Sequence, residues 1–225
     1  MTAPFSRLAL FVVLVNCTLG GLRPAAAAVA VDINVGGNPL VAPSPESVFG
    51  FEFSTSQPIR LTHMGVYDDG GDGLRRPWKI NLWRLDQSSS TIAVEVGTGD
   101  PSETLVGGFR YHESIVSINP VVNGPVLDPG RYVIAAGGLT FDEADRMPTA
   151  VAALTTDPAI TFLQARSGLN SSHNEDLVFP DVIEPGLNYF GPNFQFVAVP
   201  EPSAVLSAGC GLVIVLSRAR RLRSS

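Results

Sequence analysis

Cysteine is nearly absent. Of 225 residues only Cys17 and Cys210 carry a thiol, one near each end of the chain. The domain between them therefore has no disulfide, and no paired-cysteine spacing is available to a structural zinc ion. Histidine is limited to His63, His112 and His173, without an HxH or HExxH pattern. No G-x-S-x-G elbow and no recognisable triad order mark a nucleophile. A sustained helical period is missing, and neither terminal apolar segment reaches the length of about 18 residues that marks a membrane-spanning helix.

What is present at the ends speaks of export. Residues 1 to 30 place Arg7 before an apolar run from Leu8 to Val15, followed by a small-residue tract from Ala25 to Ala30. This is the layout of a secretory signal peptide, a signal helix, with cleavage expected after Ala28 or Ala30. At the other end Pro200, Glu201 and Pro202 precede an apolar segment from Ala204 to Ser217 and a basic tail with Arg218, Arg220, Arg221 and Arg223. The arginines should remain cytoplasmic. The apolar segment has 14 residues, and about 1.5 Å per residue gives roughly 21 Å against a hydrocarbon core of about 30 Å. It reads as a short membrane helix suited to a removable signal.

This order of motif, short helix and arginine cluster over residues 200 to 225 resembles the PEP-CTERM sorting signal of bacterial surface proteins. The resemblance implies an exosortase as processing partner, export across the inner membrane, transient anchoring there, and release to the outer surface or an extracellular matrix.

All 21 acidic residues fall between Asp32 and Glu201, against nine basic residues in the same stretch, a net charge of −12. Such a surface repels nucleic acid and anionic lipid, and suits metal cations or solubility outside the cell.

Residues 31 to 199 are enough for one domain with a sizeable core. Short β-type runs recur at 48–53, 59–67, 78–85, 91–96, 109–118, 131–136, 160–165 and 194–199, separated by Gly, Pro, Asp, Asn and Ser. Trp78, Ile80 and Leu82 alternate with Lys79 and Asn81, as in a half-buried antiparallel strand. The expectation is an all-β antiparallel sandwich, jelly-roll or immunoglobulin-like. One helical turn is expected between Asp142 and Ala153, before Pro148. Asp128-Pro129-Gly130 reads as a tight turn feeding a strand with Tyr132 and Ile134 inward. The pieces GVYDDGGDGL, LVGGFRY, LDPGRYVI, LTTDPAITF, LVFPD and YFGPNFQF, between residues 65 and 196, resemble a family of PEP-CTERM-tailed β-sandwich proteins, loosely of the DUF4082 type. That family brings no activity and no site residues.

Among candidate sites the sharpest is DDGGDG, residues 68 to 73. An EF-hand is ruled out, since counting from Asp68 the third position is Gly70 and the twelfth Lys79. Asp68, Asp69 and Asp72 remain possible ligands of a looser calcium site, with other carboxylates such as Asp157 or Asp181 completing the shell. The competing reading is a turn in which aspartates bond local backbone while the glycines take positive φ. His173 with Glu175 and Asp176 is a candidate surface metal or catalytic group, against the competing reading of a solvated loop. Trp78, Trp83, Tyr111 and Tyr189 are candidates for stacking on a sugar ring, with Trp83 foremost because it lies opposite the Trp78 face. The functional expectation is a non-catalytic structural or adhesive module binding exopolysaccharide. The alternative is a secreted carbohydrate-active enzyme, a glycoside hydrolase or lyase with two facing carboxylates.

Overall fold

The computed structural model of the chain describes residues 26–36, 40–41, 46–86, 90–97, 104–112, 124–138, 145–169 and 177–199. The strands, in chain order, begin with β1 (Ala28–Val29), β2 (Val31–Asn34), β3 (Leu40–Val41), β4 (Ser47–Thr55), β5 (Ile59–Tyr67), β6 (Trp78–Arg84), β7 (Ser90–Val96) and β8 (Thr104–Val106). They continue with β9 (Phe109–His112), β10 (Val126–Leu127), β11 (Gly130–Gly138), β12 (Met147–Pro148), β13 (Ala153–Thr156), β14 (Ile160–Leu169), β15 (Val182–Glu184) and β16 (Pro192–Ala198).

Two six-stranded antiparallel sheets form from them. The first runs β1-β16-β5-β9-β8, with β10 also paired to β5. The second runs β15-β14-β4-β11-β6-β7. Two small ladders, β12 with β3 and β13 with β2, complete the pairing. All-β architecture with packed antiparallel sheets is thus as expected, and each of the eight β-type runs holds a strand. For 109–118 the described part ends at residue 112.

Period-two alternation explains which side chains meet. On β4, Phe51 and Phe53 enter the main core; on β11, Tyr132, Ile134 and Ala136; on β6, Trp78, Ile80 and Leu82. The first sheet answers with Ile59, Leu61 and Met64 of β5 and Phe194 and Phe196 of β16. Phe53 lies between the sheets, its ring 5.0 Å from Phe194 and 5.7 Å from Tyr132. Burial of such rings contributes roughly 2 to 3 kcal/mol each, so a core of this kind holds the fold without a disulfide.

The Asp128-Pro129-Gly130 turn opens β11 as expected, and the Tyr132 hydroxyl donates to the Asp128 carbonyl at 2.8 Å. The helical turn expected before Pro148 is not found in its described part, residues 145–153. Met147 and Pro148 instead pair with Val41 and Leu40 in an antiparallel ladder. Proline fixes φ near −65° and gives up its N–H, which a short edge pairing tolerates and a helix interior does not.

Bulges adjust three ladders, β14 with β4, β16 with β5 and β6 with β7. Between β14 and β4 the register slips at Leu163, so Phe162 stays opposite Phe53 while Gln164 comes opposite Glu52. One extra residue on β14 thereby keeps the Phe162 ring inward and turns Gln164 outward beside Glu52 of β4.

Candidate functional site

Asp68 follows the last residue of β5 and begins the acidic loop. Its backbone oxygen accepts from the Gly71 N–H at 3.2 Å, and its Oδ2 from the Gly73 N–H at 3.1 Å. Gly70, Gly71 and Gly73 take φ of 102°, 73° and 109°. Those values lie where a Cβ is disfavoured, so the glycines make the turn possible. The carboxylates turn toward arginines. Asp68 Oδ2 accepts from Arg110 Nε at 2.9 Å and Nη2 at 2.6 Å, with the Asp68 side chain wholly buried. Asp69 Oδ2 accepts from Arg146 Nε at 2.6 Å, and Asp72 is exposed. Among the described residues no three His, Cys, Asp or Glu side chains gather into a metal-binding group. The loop is a turn in which two guanidinium groups hold Asp68 and Asp69.

Asp145 lies under the same region, buried, its Oδ2 accepting from the Arg75 N–H at 2.9 Å. Among the described residues the Oδ1 atoms of Asp68 and Asp145 are both buried with no hydrogen-bond partner. Burial pushes the Asp145 carboxyl above its ordinary range, the Arg75 amide pulls it down, and the charge of Asp68 raises it again.

A second polar centre sits on the outer face of the second sheet. Glu52, mid-strand in β4, is completely buried. Its Oε1 accepts from Arg131 through Nε at 2.8 Å and through Nη2. Its Oε2 accepts from Gln164 at 2.7 Å and from Arg166 Nε and Nη2 at 2.9 and 2.6 Å. Burial drives this carboxyl upward, but the bonds from Arg166, Gln164 and Arg131 outweigh it and hold it below its ordinary value. With every acceptor position engaged, Glu52 is a structural anion.

Trp83 shares that outer face, as its alternation with Trp78 predicts. Yet it is only 2% exposed, in a small cluster with Val48, Val133, Ala135 and Leu177, with Phe179 packed against it. The Phe179 ring meets it edge-on at 5.7 Å. The segment from Leu177 to Pro180 folds over the sheet and covers the ring, so its face is not open to a sugar. Trp78 and Tyr111 are buried in the main core.

Tyr189, the fourth aromatic candidate, packs on Phe49, which lines an open groove. The groove encloses about 450 Å³ at the β15 edge, lined in part by Ser47, Phe49, Ser167, Phe179, Asp181 and Glu184. Phe49 packs on Tyr189 at 4.8 Å. Ser167 Oγ donates to Glu184 Oε1 at 2.6 Å. The Tyr189 phenol is pushed up by burial and by the charge of Glu184, so it stays a neutral donor. The Arg166 guanidinium lies 5.6 Å from the centre of the Phe179 ring. The Glu52 anion thus fixes Arg166, and Arg166 fixes one wall of the groove.

The groove draws its residues from β4, β14 and β15 and the 177–181 segment, so no local spacing announces it. The sorting residues Pro200, Glu201, Pro202, Arg218, Arg220, Arg221 and Arg223 lie outside the described residues, as does His173. No protein-family model matches the chain, and neither a curated protein nor a solved structure does so.

Proposed function

We propose that the chain is an exported module of the bacterial cell envelope or extracellular matrix. In this reading a C-terminal helix anchors it transiently in the inner membrane and an exosortase processes its tail. The domain, of jelly-roll or immunoglobulin-like type, acts as a non-catalytic structural or adhesive unit that holds polysaccharide. The observation that carries the binding role is the groove at the β15 edge. A sugar ring offers apolar C–H faces and a rim of hydroxyls. Phe49 and Phe179 supply apolar walls for the one, and Ser47, Asp181 and Glu184 supply polar groups for the other. For sorting, the support is the tripartite order of residues 200 to 225.

The test is a glycan array of soluble polysaccharides probed with the full chain. Binding is expected without release of reducing ends, and Phe49→Ala should weaken it about tenfold, the loss of roughly 1.4 kcal/mol of contact. Failure to bind any glycan, or binding indifferent to Phe49→Ala, would sink the reading. The enzymatic alternative is favoured by Asp181 and Glu184 lining one groove. If it holds, reducing ends or unsaturated ends accumulate with the wild type and not with Glu184→Gln.

A further inference from the structure

The last residues of the expected leader are built into the first sheet. Ala28 pairs with Phe196 and Val29 with Gln195. The Ala30 N–H donates to the Phe194 carbonyl at 2.9 Å, and the Ala30 carbonyl accepts from the Asp157 N–H at 3.4 Å. Ala30 and Val31 are buried in the main core, and Ala28 and Val29 pack against it. Ala26 and Ala27, one step earlier, are exposed.

A leader is cut after a small residue that has another small residue two places before it. Three frames satisfy this: Ala25 with Ala27, Ala26 with Ala28, and Ala28 with Ala30. The cut occurs on the unfolded chain, so the sheet cannot block any of them; it decides which product is complete. A cut after Ala30 deletes β1 and leaves the outer edge of β16 with unpaired N–H and C=O groups, an invitation to pair with another chain. A cut after Ala28 removes half of β1. Only a cut after Ala27 keeps the whole strand.

We propose that the Ala27–Ala28 bond is the site of leader removal, and that Ala28 becomes the first residue of an edge strand closing the sheet. The inference rests on the export reading. The step is a hydrolysis, in which water adds across the peptide bond, leaving a carboxylate on Ala27 of the leader and an ammonium group on Ala28 of the domain.

The experiment expresses the full chain in an exporting Gram-negative host, with intact mass and N-terminal sequencing of the processed protein. An N-terminus at Ala28 is expected; one at Val29 or Val31 overturns the inference while leaving export intact. Retention of Met1 on protein still in the cytoplasm overturns the export reading itself. A second variant, Ala27→Tyr, places a bulky residue at the cut position of this frame alone. Loss of the Ala28 product supports the proposal, and an unchanged mature N-terminus refutes it.

Discussion

Glu52 occupies a position that alternation assigns to solvent, yet it is the most engaged carboxylate described. Its two arginines are not equivalent, since the Arg131 side chain is 59% exposed and that of Arg166 10%. An exposed pair contributes about 0 to 1 kcal/mol, whereas breaking a buried one costs roughly 3 to 5 kcal/mol. Arg166→Ala should therefore lower stability by several times more than Arg131→Ala in denaturant titrations of the full chain. Equal losses would refute this ordering. The network also has a pH signature. The folded pKa of Glu52 lies below the unfolded value, so its contribution is complete above about pH 4.3 and is lost as pH falls through the folded pKa. Asp145 has the opposite sign. Its folded pKa lies above the unfolded value, so its charge works against the fold at neutral pH and the penalty fades as pH falls through the folded pKa. Asp145→Asn should raise the melting temperature at pH 7, with the gain shrinking in acid. A lower melting temperature at pH 7 would show that the charge is needed. Neither role was legible in the sequence, because burial of a carboxylate depends on which segment crosses over it.

Among the elements, the long strands could be read directly, since apolar residues at every second position leave one register that buries them. The short ladders were not legible. β2 and β13 pair through Asp32 with Thr155 and Ile33 with Leu154, across more than a hundred residues, and four-residue runs carry little pattern. Trp83 illustrates the difference: its face was correctly inferred, but its exposure was decided by Leu177 to Pro180, which no rule of alternation ties to β6. Trp83→Ala should empty a buried site and cost about 3 to 5 kcal/mol, measured as a shift of the denaturation midpoint. A loss below about 1 kcal/mol would mean that the cover collapses onto the gap.

Taken whole, the domain places its acidic loop and its groove in different neighbourhoods, one at the end of β5 and one at the edge strand β15. The loop's sequence suggested calcium, and its glycine conformations match the turn expected of them; the arginines that occupy Asp68 and Asp69 come from β9 and from beside β12. Thermal melts of the full chain in millimolar calcium and in chelator, at matched ionic strength, should coincide. Native-state binding would instead raise the calcium melt by mass action.

The pairing of β1 with β16 sets how the domain bears load. The Val199 N–H donates to the Pro58 carbonyl at 3.0 Å, so the last described residue is clamped beside the start of β5. A pull along the strand axis from that end acts in shear on the ladder from Pro192 to Ala198, loading its rungs together, with β1 as a second seam along the same strand. Peeling would load them one at a time. Tension applied in this direction therefore meets resistance from the whole ladder at once, and the two-residue strand at the N-terminal edge adds to it.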